Sequence, residues 1–326
     1  MTDKKQLTLA FVSSAFNEAE NLEELHRRCR AAHAQLQQEF DHRIQLDFRF
    51  VVADNGSTDS SLDVLEELST RDRAVIALAN RKNYGAEVSG VNALKQVLNC
   101  DLIVLLCSDL QDPPELSTTM GQMLLEQSEL DAVLALKKRS ASNPLMRLAK
   151  RTYYILLGYS SRRGITPSGF HGFGCYRCEV INDAISQWEQ ADLSMRQCLI
   201  NACQSPAFID YTQANRLRGT SSYRGWGYWP AALQDVLKGD AAGSRLALFI
   251  GSICLLFAIL AGILLIANYI SGNSGYSRGA PTVMALVLIG FALQMLMFAV
   301  LSRQIESLRT GGNPQKVRFR RLSNDN

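Results

Sequence analysis

What this sequence lacks narrows its chemistry first. It has no G-x-x-x-x-G-K-[ST] loop and no strand-like run leading into G-x-G-x-x-G, so P-loop and dinucleotide-binding readings fail. It has no large excess of one charge. The 34 Lys and Arg against 31 Asp and Glu leave +3, too little to argue for nucleic acid. Of its eight cysteines only Cys175 and Cys178 have C-x-x-C spacing, and no second pair completes a zinc framework. They read as reduced thiols of a cytosolic domain. There is no signal peptide pattern either: the apolar run after Lys4 and Lys5 is short and meets Asn17 and Glu18 at once. Internal repeats and low-complexity segments are absent.

What is present is a regular alternation of strand and helix over residues 7–136 of a chain of 326, long enough for about two domains. Strands are predicted at Leu7 to Ser13, Phe48 to Ala53, Val75 to Ala79, Leu102 to Leu106 and Ala132 to Leu136. A helix is predicted from Glu18 to Gln38, with Leu22, Leu25, Cys29 and Ala32 on one face. Others are predicted around Val64 to Leu68, from about Glu87 to Leu98, and from Glu115 through Glu126. Such alternation argues an α/β domain with a mainly parallel sheet covered by helices on both faces.

On a parallel sheet the turns after successive strands share one edge, where ligands bind. Three of them are polar: Asn17-Glu18, Asp54 to Asp59, and Ser108 to Asp112. Convergence of the three argues a nucleotide or phosphate site. Oxygen donors crowded at Asp109, Gln111 and Asp112 suit Mg²⁺ or Mn²⁺ carrying substrate phosphates. Asp54-Asn55-Gly56-Ser57 also makes a tight turn whatever its function, and Ser57, Thr58 or Asp59 also serves to cap the next helix.

Beyond residue 136 the character changes. Lys137, Lys138, Arg139, Arg147, Lys150 and Arg151 read either as a solvated basic face or as contacts to phosphates. Gly169 to Cys178 packs three glycines into a short span, and His171 reads as a partnered structural residue, because no second ligand stands at metal spacing in sequence. Arg216 to Tyr223 forms a second basic, glycine-containing loop, followed by Trp226, Tyr228 and Trp229, a composition of membrane interfaces. Leu246 to Ile270 and Gly279 to Ser302 contain no charged residue, and each exceeds the ~20 residues of a membrane-crossing helix. Basic residues flank both stretches, so the positive-inside rule puts both termini on the cytosolic side of the inner membrane. The predicted division is a cytosolic domain at 1–225, an interfacial segment at 226–245, a transmembrane hairpin at 246–302 (helices near 246–270 and 281–301), and a basic tail at 303–326. That tail suits anionic membrane lipids, and the helices offer a surface for a homo-oligomer.

With these pieces placed, the sequence resembles the family 2 glycosyltransferases acting on polyprenyl phosphates, of the dolichol-phosphate mannose synthase and bactoprenol-phosphate glucosyltransferase types. The family's P-x-Y-N-E is matched by Ser14 to Glu18, and its D-D-G-S-T-D by Asp54 to Asp59. Its R-N-x-G region is matched by Arg81, Asn83 and Gly85, and its D-A-D-L-Q-D-P-P-E by Cys107 to Glu115. Gly172 to Tyr176 and Arg216 to Ser222 match two later blocks, so the resemblance covers nearly the whole chain. It implies a GT-A fold binding a nucleotide sugar, UDP- or GDP-linked, with a polyprenyl (undecaprenyl) phosphate acceptor and inversion at the anomeric carbon. Asn17, Glu18, Asp54, Asn55, Arg81, Asn83, Gly85, Arg216 and Arg218 would bind the donor. Asp109 and Gln111 would hold the metal, with Asp109 and Arg139 acting in catalysis.

Four positions depart from the family pattern. Cys107 stands for the first Asp of D-x-D, Asn55 for the second Asp of D-D-G-S, Gly169 lies where an Asp is frequent, and Ser222 replaces a Lys. Thiolate is a poor substitute for carboxylate on Mg²⁺. The alternative reading is a non-catalytic membrane partner or scaffold that keeps a nucleotide-sugar pocket.

Overall fold

A computed structural model describes residues 4–40, 42–138, 167, 169–190, 193–213, 242–270, 280–309 and 319–321. The elements in chain order begin with β1 (Lys5–Ala15), α1 (Ala19–Phe40), β2 (Ile44–Asp54), α2 (Ser61–Arg71), β3 (Val75–Asn80) and α3 (Ala86–Leu94). Next come β4 (Leu102–Leu105), α4 (Leu116–Glu126), β5 (Ala132–Lys137), β6 (Gly174–Arg177), α5 (Cys178–Gln190) and α6 (Met195–Ala202). The last are β7 (Pro206–Tyr211), α7 (Ala242–Ile270), α8 (Ala280–Arg309) and β8 (Phe319–Arg321).

The strands form one eight-stranded sheet in the order β7-β5-β6-β4-β1-β2-β3-β8. Strand β1 lies parallel to β2 and β4, and β2 parallel to β3. Side-chain alternation explains why β1 sits in the middle. Leu7, Leu9 and Phe11 enter one core, while Ala10 and Val12 enter the core on the opposite face. A strand apolar on both faces is stable only with helices on each side. The first core is closed by Leu25 of α1, Leu65 of α2 and Met120 of α4, the second by Val91 of α3, Ile181 of α5 and Leu199 of α6. The expected α/β domain with a mainly parallel sheet is what forms.

Residues 174–177, inside the glycine-dense span at 169–178, form a strand antiparallel to both β4 and β5 that the sequence had not marked. One local expectation is corrected. The helix expected to reach Leu98 ends at Leu94, where three-residue closures from Gln96 to Ala93 and from Val97 to Leu94 take over.

Helices α7 and α8 span 29 and 30 residues. They meet through small residues: Ala258 and Ala292 are buried, and a Cβ on Gly251 would lie 3.2 Å from Met295 Cβ. Most of their other described side chains are apolar and exposed, with Leu256 and Met297 each 66% exposed. Among the described residues no helix is long and apolar enough to cross a membrane. After these helices β8 pairs antiparallel with β3, Leu78 opposite Arg321.

Arg28 of α1 grips Glu115, just ahead of α4, with two hydrogen bonds of 2.7 and 2.6 Å. Those bonds hold the Glu115 carboxyl below its ordinary value against the opposing effect of burial. A depressed carboxyl contributes stability above the unfolded pKa, about 4.3, and loses it as pH falls through the folded value. Because Glu115 is half exposed, Glu115→Gln is expected to lower unfolding stability at pH 7 by no more than about 1 kcal/mol. Denaturant melts of the two proteins should draw together as pH falls past the ordinary value of about 4.3 and meet below the lower folded one; a gap that persists in strong acid would assign the effect to packing.

Candidate active site

The parallel strands β1, β2 and β4 deliver their turns to one edge, and these turns are bonded to one another. Asn17 stands in left-handed conformation (φ 56), which asparagine tolerates. Its N–H donates to Ser57 Oγ at 2.9 Å, and its side-chain oxygen accepts from the Thr58 N–H at 2.8 Å. The Glu18 N–H donates to Ser61 Oγ, and the Glu18 carboxylate accepts from Asn21. From the third turn, Ser108 Oγ donates to the Ser14 carbonyl at 2.9 Å. The strand-end rim is thus one bonded unit.

Asp54 is buried, and its Oδ2 accepts the N–H groups of Gly56 and Ser57, each at 3.0 Å. Its Oδ1 finds no donor among the described residues. Gly56 (φ 73) is required here, because a Cβ would lie 2.7 Å from the Lys82 carbonyl carbon. That close approach brings in the 81–85 segment. Asn55 donates to Asn83 Oδ1 at 2.9 Å and accepts from the Tyr84 N–H at 2.9 Å. Asn83 Oδ1 also accepts from the Gly85 N–H. Arg81 is exposed, and Gly85 has φ 91.

In the turn after β4, Asp109 is buried and its Oδ1 accepts the Gln111 N–H at 3.1 Å, while Gln111 Oε1 accepts from Gln213. Asp112 is wholly buried and accepts from the Cys107 N–H at 3.1 Å and the Tyr211 hydroxyl at 2.7 Å. His171 Nε2 donates to it at 3.0 Å. Burial works to raise the Asp112 pKa, but the bonds from His171, Tyr211 and Cys107 outweigh it and hold the carboxyl below its usual range. Cys107, Asp112 and His171 have ligand atoms within 4.8 Å of one another, and all three line a cavity of about 170 Å³ that runs to Ser13 and Arg196.

The structure therefore brings Asn17, Glu18, Asp54, Asn55, Asn83 and Gly85 onto one rim, next to Asp109 and Gln111. Arg139, Arg216, Arg218 and Ser222, with residues 226–241 of the expected interfacial segment, lie outside the described residues, and 242–245 open α7. Sequence spacing had given His171 no carboxylate partner. Asp112 supplies one from a turn 59 residues away, which no local pattern reveals. Tyr211, at the end of β7, was not anticipated, and a lone aromatic at a strand end gives no signal of such a role. The trio of thiol, imidazole and carboxylate does not fit Mg²⁺, which takes six oxygen donors. Asp109 and Gln111 are the oxygen donors beside it.

Comparison with known proteins places this site in context. A sequence profile described as glycosyl transferase family 2 matches residues 11–184, more than half of the chain. The prophage bactoprenol glucosyl transferase homolog of Escherichia coli (strain K12) is 25% identical over 303 residues, covering 92% of this chain and 94% of its own. The undecaprenyl-phosphate 4-deoxy-4-formamido-L-arabinose transferase of Proteus mirabilis (strain HI4320) is 24% identical over 311 residues, covering 93% and 90%. Among solved structures, S. aureus TarS 1-349 is similar at a TM-score of 0.44 and 16% identity, over 94% of this chain and 92% of that one.

The Asn55 contacts generate a prediction. An aspartate at this position would keep the Tyr84 bond but set a carboxylate oxygen against Asn83 Oδ1, already 2.9 Å away. Asn55→Asp is expected to cost about 1–3 kcal/mol, read by chemical denaturation. An unchanged midpoint would mean that the 54–57 and 81–85 segments are not held together by this side chain.

Proposed function

This chain belongs to glycosyl transferase family 2, and on that premise we propose that it transfers a sugar from a nucleotide-sugar donor to polyprenyl phosphate on the cytosolic face of a membrane. The observation that carries the reading is the bonded rim, where three polar turns from three parallel strands meet at one edge. In a GT-A reading of the domain, Asn17, Glu18, Asp54, Asn55, Arg81, Asn83 and Gly85 face the donor's base and ribose. The unused acceptor of Asp54 suits an N–H or hydroxyl of that moiety. Arg139, Arg216 and Arg218 are proposed to meet phosphates, since guanidinium matches them in a bidentate fork. Relatives similar along nearly their full length are named for bactoprenol and undecaprenyl phosphate, which supports the same acceptor class here.

In the proposed reaction an oxygen of the lipid phosphate attacks the anomeric carbon. The bond from that carbon to the nucleotide diphosphate breaks, and the configuration inverts. A phosphate monoester is already anionic near neutral pH, so no strong general base is needed. What the protein must supply is stabilisation of the departing diphosphate. The Mg²⁺ or Mn²⁺ expected there has Asp109 and Gln111 as oxygen donors, but Cys107 in place of a carboxylate suits a hard ion poorly. Loss of sugar transfer by about 10²–10³-fold in Asp109→Ala, with folding intact, is the expected result. It is measured with the full chain in detergent, undecaprenyl phosphate and UDP- or GDP-sugars. Unchanged turnover would overturn the assignment of Asp109 and favour a non-catalytic member of the family.

We further propose the division into a cytosolic domain, a hairpin formed by α7 and α8, and a cytosolic tail. Three features support it: the absence of charge across 246–270 and 279–302, the open apolar side chains of both helices, and the pairing of residues 319–321 with β3. A chain that joins the same sheet before and after two spans must return to the side it left, as a hairpin does. In spheroplasts a membrane-impermeant maleimide should label Ser274→Cys in the linker and leave the exposed Cys107 unlabelled until the cells are broken. Labelling of Cys107 in intact spheroplasts would reverse the orientation.

A further inference from the structure

We propose that Cys107, Asp112 and His171 form a site for a borderline transition-metal ion, with Zn²⁺ as the reference case, at the carboxyl end of β4. The three ligand types are those zinc prefers, one thiolate, one imidazole and one carboxylate. They come from two turns far apart in sequence, and the fold brings their ligand atoms within 4.8 Å of one another.

The distances fit a shared ion. With metal–nitrogen and metal–oxygen bonds of about 2.0–2.2 Å, two ligand atoms of a tetrahedral centre stand roughly 3.3 Å apart. His171 Nε2 lies 3.0 and 3.2 Å from the two oxygens of Asp112. The same pair that shares a proton is therefore spaced to share a cation. Sulfur, at about 2.3 Å from the metal, would stand roughly 3.6 Å from the other two atoms. The Cys107 sulfur already lies within 4.8 Å of both, so binding closes that gap by at most about an ångström. On binding, the thiol proton leaves to solvent, His171 takes the tautomer with its proton on Nδ1 so that Nε2 faces the ion, and no redox change is involved.

The surroundings match a metal centre in a second respect. Ligating carboxylates are themselves hydrogen-bonded, and that outer bond fixes their orientation. Asp112 Oδ1 receives the Tyr211 hydroxyl at 2.7 Å and Oδ2 the Cys107 N–H at 3.1 Å, so both oxygens are oriented and Oδ2 keeps a second lone pair for the ion. The buried side of the site is closed by Asp112, while the cavity of about 170 Å³ that these residues line leaves a fourth position open to a ligand. Three protein ligands with one open position is the arrangement of a reactive zinc site rather than a structural one.

This site stands on its own geometry, whether or not the chain transfers sugar, so metal binding is read directly. The full chain in detergent, stripped with chelator, is titrated with Zn²⁺ against a chromophoric chelator and, separately, with Co²⁺ by absorption spectroscopy. The expected result is about one tight Zn²⁺ per chain, unaffected by millimolar Mg²⁺. It is weakened at least about tenfold by Cys107→Ser and by His171→Ala. Bound Co²⁺ should give a thiolate-to-metal charge-transfer band that is missing in Cys107→Ser. Cys107→Asp should exchange the preference, weakening Zn²⁺ and strengthening Mn²⁺. Circular dichroism checks folding, and Cys107, being exposed, is the variant that least disturbs it. Equal Zn²⁺ affinity in wild type and both variants, or Co²⁺ bound without the thiolate band, would overturn the proposal. Sugar transfer measured on the same samples separates the two ideas: zinc bound without turnover removes the transferase reading alone, and turnover without zinc removes this one alone.

Discussion

The buried carboxylate of Asp112 is the group on which the site side of this molecule depends. Removing an ion from water costs several kcal/mol, and the charge persists only where donors replace the lost hydration. Here the donors are the Cys107 N–H, His171 Nε2 and the Tyr211 hydroxyl. They arrive from the turn after β4, the loop before β6 and the end of β7. One wholly buried group therefore ties together the side chains of three segments that meet at this edge of the sheet. Burial and the neighbouring carboxylate also push the Tyr211 pKa up, so its proton stays available to donate.

Around that anchor the rim is built with strained backbone. Asn17 and Leu110 are the non-glycine residues with positive φ among those described. For Asn17 the cost is small, since its side chain bonds locally. Leucine has no such compensation, and the left-handed conformation costs about 1–2 kcal/mol. Leu110 is almost fully buried in the core beneath the sheet, and burial of a leucine contributes about 1.5–3 kcal/mol. The core thus holds the turn in a shape that places Asp109 and Gln111 on either side of a buried hydrophobic plug. Strain of this kind, concentrated where ligands are expected, is what a site positioned by its scaffold requires.

Much of this was legible in the sequence. The period-2 burial of β1 and the apolar face of α1 are direct readings of pattern, and the strand-end turns follow once the sheet is parallel. What stayed hidden has a physical reason. Strand β6 is four residues long and begins with glycine, so neither length nor propensity distinguishes it from a loop. It becomes a strand because β4 and β5 offer it open edges on both sides, a tertiary cause. The His171–Asp112 contact was hidden for the same reason. Conversely, Glu115 closes the specific D-P-P-E run, yet its carboxylate is used by Arg28 of α1, a structural role inside a motif that reads as functional.

The departures from the family pattern look like scattered losses of charge when taken along the chain. In three dimensions the described ones are local solutions to packing and bonding. Asn55 donates to Asn83 Oδ1 and accepts the Tyr84 N–H, and of asparagine and aspartate only the amide serves both. Gly169 has φ 95, and its Cβ would lie 2.6 Å from the Lys137 carbonyl oxygen, so no aspartate fits there with the backbone as it stands. Its own carbonyl accepts the Lys137 N–H at 3.1 Å, which holds the loop bearing His171 against the end of β5. That placement brings His171 to Asp112, and Cys107 is the third member of the same cluster. An aspartate at 107 would add a second carboxylate near the buried Asp112, and the two would repel. The thiol removes that repulsion and changes the ligand set in one step. Cys107 and the loop turned by Gly169 therefore belong to one arrangement around Asp112, in which sulfur, nitrogen and oxygen atoms gather at the end of β4.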